Sequence, residues 1–228
     1  MIFPTLCINN FFDDPNEIVD YANKLEYFYD INDGIFPGKR TKLLHKVNYD
    51  FFNYINKKIL RLYYPDNNIF NNLTYEAQTV FQKINYDDVE HHITNEKNKG
   101  IGFIHQDPCL ITGIIYLTKN IYNSGTSIWK RKSECKDMFV KDDNLKISYY
   151  LKKKVDEEKY KKQLNDNINN FDEIFCSKAI YNSFCSFDSN QFHSGNFNMK
   201  SGEERLILIT FINKLNVPFY PITEMRKV

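Results

Sequence analysis

The sequence predicts a mainly-β protein, a barrel or sandwich of short strands with helices ahead of it. Three observations carry this. From about residue 73 the chain falls into short runs rich in Ile, Phe, Tyr and Thr, separated by turn residues. Before that point the apolar residues recur at helical spacing instead. Between the strand-like runs lies one highly charged stretch, residues 131–172, that breaks the series.

Taken in order, residues 3–8 read as a short strand. "DDPNEIVDYANKLEYF" reads as a helix: Asp14 is a good N-cap, Pro15 sits at the first helical position and Glu17 completes a capping-box pattern. Ile18, Ala22 and Leu25 give this helix one packing face. "NDGIFPGKRT" is loop, with Gly34, Pro37 and Gly38 as breakers. Residues 49–63 form a second amphipathic helix through Phe52, Ile55, Ile59 and Leu62, stopping before Pro65. The strand candidates are "LTYEAQTVFQKI", "GIGFIHQD", "LITGIIYLT", "GTSIWK", "AIYNSFCSF", "QFHSG" and "RLILITFI". In the charged stretch, Tyr160, Leu164, Ile168 and Phe171 are spaced for one helical stripe. It reads as an insertion between strands, either a solvated excursion or a lid over a barrel mouth. One domain follows from 228 residues: 1–72 as helical support, 73–130 and 173–216 as the β core, 131–172 as the insertion.

Composition narrows the partners. With 30 basic and 29 acidic side chains the net charge is +1, which demands neither nucleic acid nor an anionic membrane. A local basic patch (Lys130, Arg131, Lys132, Lys152–Lys154, Lys159, Lys161, Lys162) leaves nucleic acid as a less favoured substrate. Five cysteines without a CxxC pair suggest reduced thiols, mostly core filler, in an intracellular, cytoplasmic protein. The N-terminus makes a poor signal peptide, and no apolar run approaches the roughly 20 residues of a membrane span.

The chemistry sits inside apolar runs. In a strand, alternation puts His105 and Asp107 on one face and Gln106 on the other. Burying that carboxylate costs several kcal/mol unless it has a partner, so a metal or a hydrogen-bonded imidazole is required. A second imidazole, His193, lies far downstream at the end of another aromatic-rich strand. His-x-Asp with a distal His is the two-histidine, one-carboxylate set of non-haem iron oxygenases, in which three protein ligands take one face of an octahedron and leave three positions open. Arg205 follows one turn and one strand later, on the same face as Ile207, Ile209 and Phe211. A guanidinium that cannot lose its proton needs an anion there, unless it reaches water or pairs with Glu203 or Glu204.

On "HQD", "FHSG" and "RLILITFI", in that order and in strand context, the chain resembles the 2-oxoglutarate and Fe(II)-dependent dioxygenases, with most likeness to the prolyl-hydroxylase-like branch. The resemblance covers roughly residues 73–128 and 179–213. It implies a double-stranded β-helix, or jelly-roll, with Fe(II) held by His105, Asp107 and His193. It also implies a hydroxylase that converts 2-oxoglutarate and O2 to succinate and CO2. Arg205 then anchors the far carboxylate of 2-oxoglutarate, and Tyr116 and Thr112, matching the family's Tyr and Thr in "ITGIIYLTKN", help hold it. A carboxylate at position 107 argues for hydroxylation over halogenation, because halogenating relatives lose that ligand.

Other candidates are weaker. His91 and His92 precede a polar turn and read as surface residues. Arg40 and His45 lie on or near a loop that could reach the barrel mouth. Trp129 fits either barrel-wall packing or substrate contact, Asn182 could bond near the metal, and Gly113 admits close packing. Two rivals stand beside the hydroxylase: a cupin-like metalloenzyme using the same triad without 2-oxoglutarate, and a non-catalytic binding protein on the same fold. The prime substrate and the oligomeric state are not encoded in any pattern; a protein side chain, amino acid or small metabolite is favoured.

Overall fold

The computed structural model describes residues 2–29, 35–93, 100–119, 121, 123–134, 143–151 and 155–226. The chain opens with β1 (Leu6–Ile8) and α1 (Pro15–Asn23). The Asp14 side chain accepts from the backbone N–H of Asn16 and Glu17, as its N-cap position requires. There follow β2 (Lys39–Arg40), α2 (Leu44–Val47), α3 (Tyr49–Tyr63), α4 (Asn67–Asn72), β3 (Thr74–Asn85) and α5 (Tyr86–Ile93). Next come β4 (Ile111–Tyr116), β5 (Thr126–Arg131), α6 (Asp143–Tyr150), α7 (Glu157–Asn169) and β6 (Phe171–Ser177). The chain ends with β7 (Ser183–Asp188), β8 (Phe192–Gly195), β9 (Glu204–Asn216) and α8 (Pro221–Met225).

The strands form two antiparallel sheets, a jelly-roll arrangement. One has the order β1-β7-β4-β9-β3-β2 and the other β6-β5-β8. The longest ladder pairs β3 with β9 from Thr74↔Asn216 to Asn85↔Glu204, with a bulge between Glu76 and Ala77. β4 is buried along its whole length, which explains its unbroken apolar run. On one face its Ile111 and Ile115 join Leu208 and Ile212 of β9 and Phe81 of β3 under Ile55, Ile59 and Leu60 of α3. Burying each such aliphatic side chain contributes ~1.5–3 kcal/mol, which holds the helical layer on the sheet. On the other face Ile114 and Tyr116 meet Ile207 and Ile209 and reach Ile128 of the small sheet. A Cβ at Gly113 would lie 3.1 Å from both the Phe184 ring and the Thr210 methyl, so close packing accounts for this glycine.

The structure corrects several expectations. The first helix ends at Asn23, and Phe28 instead bridges to Arg40. "GIGFIHQD" is no regular strand. It meets β8 and the residue after it through single bridges, His105↔His193 and Ile101↔Asn196. Between them, the Asn167 side chain of α7 accepts from Ile104 N–H (2.7 Å) and donates to Ile104 C=O (3.2 Å), taking the backbone groups that a neighbouring strand would pair. Gly100, at φ +85°, adopts a conformation that L side chains disfavour and turns the chain into this segment. His91 and His92 lie on α5, and His92 is fully buried rather than superficial; the polar turn that follows lies outside the described residues. Cys109 and Cys185 are core residues, but Cys7 and Cys176 are exposed; Cys135 and Lys152–Lys154 lie outside the described residues.

The described part of the insertion is packed. Tyr160, Leu164 and Ile168, the predicted stripe of α7, join Tyr149 and Tyr150 of α6 in a cluster with Phe103, Ile104 and Trp129. Among the described residues no helix is long and apolar enough to cross a membrane.

Candidate metal centre

Three segments bring the candidate ligands together. The bridge pair fixes His105 opposite His193 through both backbone bonds, His105 N–H to His193 C=O (3.0 Å) and His193 N–H to His105 C=O (2.9 Å). Asp107 N–H then bonds Ser189 C=O at 3.1 Å, holding the loop against the end of β7. One ligand atom from each of His105, Asp107 and His193 lies within 4.8 Å of the others. His193 Nε2 is 3.2 Å from one Asp107 oxygen, and His105 Nε2 is 3.6 Å from the other.

Each imidazole is oriented from behind. His105 Nδ1 meets Phe103 C=O and His193 Nδ1 meets Gln191 C=O, both at 2.9 Å. A carbonyl can only accept, so each Nδ1 carries the proton and each Nε2 presents its lone pair. Thr112 Oγ1 donates to Asp107 Oδ2 at 2.9 Å and is also in contact with Ser189 Oγ. Burial would raise the Asp107 pKa, but His193, then His105 and the Thr112 hydroxyl outweigh it and hold the carboxyl well below its usual range. Desolvation, reinforced by His193, pulls His105 down to about 3. Both shifts favour the forms that bind a cation, a neutral imidazole and a carboxylate. Gln106 is exposed and turns away to the Asn190 carbonyl.

The triad opens into a cavity of about 630 Å³ between the sheets. Arg205, 2% exposed, lines it. Its Nη1 donates to Asn196 C=O at 3.1 Å and more weakly to Gly125 C=O at 3.5 Å. Its buried Nε has no partner among the described residues. The guanidinium lies 5.2 Å from the Tyr116 ring centroid. Burial lowers its pKa, partly offset by Tyr116. Neither Glu203 nor Glu204 pairs with it: Glu203 caps Lys200 N–H and Glu204 pairs with Lys83.

The sequence placed Thr112 and Tyr116 as helpers at the co-substrate carboxylate. The structure gives the Thr112 hydroxyl to the ligand Asp107. Tyr116 donates its hydroxyl to Thr126 (2.8 Å) and lies beneath Arg205. Of the weaker candidates, Arg40 lines the cavity. His45 packs edge-on against Phe52 instead. Trp129 is wall packing, its Nε1 donating to Ser194 Oγ. Asn182, at φ +61°, exchanges two bonds with the backbone of Phe12, away from the ligands. Among the cavity residues that the sequence reading did not single out are Lys146 and Tyr150 of α6. Tyr150 in "SYY" carried an aromatic signal, but the surrounding charge concealed it.

A family model described as a family of unknown function (DUF6445) matches residues 3–204. The chain belongs to that family. No curated protein sequence matches it. Among solved structures, the fold is similar to the non-heme alpha ketoglutarate dependent epimerase SnoN from nogalamycin biosynthesis. The identity is 9% and the TM-score 0.52, over 95% of this chain and 81% of that one. It is also similar to HygX from Streptomyces hygroscopicus with nickel and 2-oxoglutarate bound, at 8% identity and TM-score 0.51, over 93% and 84%. A prolyl-4-hydroxylase from Pseudomonas putida aligns at 11% identity with a TM-score of 0.43, over 92% of each chain. The chain therefore shares its fold with SnoN and HygX.

Proposed function

We propose that this member of the family is an Fe(II)- and 2-oxoglutarate-dependent oxygenase that hydroxylates a substrate held in the cavity. One observation carries the reading. A preoriented His–Asp–His triad and a buried arginine with an unpartnered Nε line the same cavity.

The donor set suits Fe(II). Two neutral imidazoles and one carboxylate leave a net positive metal with open positions. His105, Asp107 and His193 would hold it, and Thr112, Phe103 and Gln191 would keep the three ligands aimed. Arg205 suits the co-substrate. Its Nη1 is fixed at Asn196, three residues along the β8 direction from His193, or roughly 10 Å at ~3.3 Å per residue. A five-carbon diacid bridging the metal and the guanidinium fills such a span. Burying an arginine beside an unpaired donor costs a few kcal/mol, roughly 1–3 for the donor alone, which a carboxylate would relieve. Tyr116 supports the guanidinium from below, and the apolar walls Ile114, Ile207, Ile209 and Phe211 exclude water from the reacting centre. Iron with 2-oxoglutarate and O2 supplies the oxidising chemistry, with succinate and CO2 as co-products.

The test is succinate formation from 2-oxoglutarate by the Fe(II)-loaded protein, followed by NMR. Wild type turns over slowly without prime substrate, and Asp107→Ala does not. Iron binding without any 2-oxoglutarate binding would favour the cupin-like alternative.

A further inference from the structure

Two cysteines meet across the edge of the large sheet. β1 pairs with β7 in the register Leu6↔Ser186, Cys7↔Cys185, Ile8↔Phe184. Directly opposed residues of an antiparallel pair turn their side chains to the same face, with Cα atoms about 4.5–5.5 Å apart. A disulfide spans Cα separations of about 4.4–6.8 Å, so this register can be cross-linked without moving the backbone. The register is also held in place: Asp188, at the end of β7, accepts from the backbone N–H of Phe3 (3.2 Å) and of Ile2 (2.5 Å). Cys7 is exposed and lies 3.9 Å from Ser177 Oγ, whereas Cys185 is fully buried. The Cys185 thiol, with help from the Ser177 hydroxyl, outweighs burial and holds Cys7 below the usual thiol range. The same contact, reinforced by desolvation, pushes Cys185 up. A reagent from solvent thus meets one nucleophilic sulfur with a second thiol behind it. The other described thiols lack this arrangement. Cys109 meets the hydroxyls of Ser189 and Thr112, and Cys176 lies opposite Ser127.

We propose that Cys7 and Cys185 are an oxidation site, a dithiol that hydrogen peroxide converts to a cross-strand disulfide stapling the N-terminal strand to β7. The proposal is independent of the oxygenase reading. In the first step the Cys7 sulfur attacks one peroxide oxygen. The O–O bond breaks, the departing hydroxide takes a proton to become water, and Cys7 becomes a sulfenic acid. The Cys185 sulfur then attacks the Cys7 sulfur. The S–O bond breaks, and hydroxide leaves with the Cys185 proton as a second water. Two thiols have lost two electrons, and one peroxide has become two waters. A thiol reductant reverses the change. β1 has three residues and one neighbouring strand, so few backbone bonds hold it. The cross-link removes its freedom to detach, and it closes a loop containing most of the chain.

The test treats the full-length, fully reduced chain with hydrogen peroxide at neutral pH, free of redox-active metal so that peroxide meets only the thiols. Intact mass should fall by two hydrogens, and non-reducing peptide mapping should recover the Cys7 peptide joined to the Cys185 peptide. The urea midpoint should rise by about 1 M and return to its starting value with dithiothreitol. Cys7→Ser, at an exposed position, should abolish both the cross-link and the shift. Cys176→Ser should change neither. In Cys185→Ser the sulfenic acid should persist at Cys7 and be captured by dimedone; should that variant fail to fold, Cys7→Ser and the peptide map decide alone. Recovery of Cys7 and Cys185 still reduced would overturn the proposal. So would a cross-link to Cys135 or Cys176, or between two chains, in place of the Cys7–Cys185 bond.

Discussion

Desolvation brings both His92 and His105 down to about 3, yet His92 is fully buried while His105 is half-buried at the cavity wall, and their surroundings differ. His92 is saturated. Its Nδ1 meets Ile101 C=O at 3.1 Å, and its Nε2 is 2.8 Å from the Tyr160 hydroxyl, with Tyr150 at 3.4 Å. Tyrosines and phenylalanines surround it, and among the described residues no carboxylate bonds to it. His105 spends only Nδ1 on a carbonyl. Its Nε2 faces Asp107 and His193 at the cavity wall. Burial alone therefore does not mark a ligand. The mark is an imidazole fixed at one nitrogen, with the other turned toward a carboxylate and a second imidazole.

The sharpest way to break this comparison is to remove a ligand. His105→Ala, Asp107→Ala and His193→Ala should each weaken Mn(II) or Fe(II) binding by more than ~100-fold, beyond the 10–100-fold usual for residues that merely support a ligand. Gln106→Ala should leave calorimetric metal affinity near wild type. Tight metal binding by Asp107→Ala would dismantle the assignment.

Arg205 gives the next largest effect. Arg205→Lys keeps the charge and loses the fork. The apparent 2-oxoglutarate KM should rise by roughly one to two orders of magnitude, corresponding to ~1.5–3 kcal/mol. Arg205→Ala should do worse, while metal affinity without co-substrate stays put. Unchanged 2-oxoglutarate binding in Arg205→Ala would show that the guanidinium does not anchor it.

Thr112 tests the support behind the triad. Thr112→Val should cost about tenfold in metal affinity, and Thr112→Ser should restore most of it. A change only in 2-oxoglutarate KM, with metal affinity intact, would return Thr112 to the co-substrate.

The last test lies outside the candidate site and concerns His92. Its folded-state pKa, about 3, lies below the ordinary value near 6.5. Between those two values the unfolded chain binds a proton that the folded chain refuses, so stability is present above pH 6.5 and is lost as pH falls. The contribution of His92 reaches ~1.4 kcal/mol per pH unit in that window. In urea unfolding of the metal-free protein between pH 6.5 and 4.5, the stability gap between wild type and His92→Gln should narrow with acid. His105 contributes in the same direction in both proteins and drops out of the difference. A gap independent of pH would mean that His92 is not held neutral.

Much of this was legible in the sequence because it is local or periodic. Asp14 and Pro15 announce α1, and the apolar spacing of 49–63 announces α3. "LITGIIYLT" and "RLILITFI" read as strands because β4 and the buried part of β9 are apolar at almost every position. His-x-Asp, the distal His and the arginine could be named from residue type and order alone. What the tertiary structure decided depends on partners far along the chain. Asn167, on a helix in the charged insertion, satisfies the Ile104 backbone and keeps "GIGFIHQD" from becoming a strand. Thr112 goes to Asp107 because the distant Ser189, just after β7, meets both, accepting from Asp107 N–H and contacting the Thr112 hydroxyl. His92 looked superficial next to a polar turn, and it is the tyrosines of α6 and α7, with Phe103 and Phe197, that bury it. Lys146 looked like one more solvated charge, until packing turned it toward the cavity. Sequence patterns record what each residue does with its near neighbours. Burial and pairing of polar groups are settled by segments that meet only when the chain has folded.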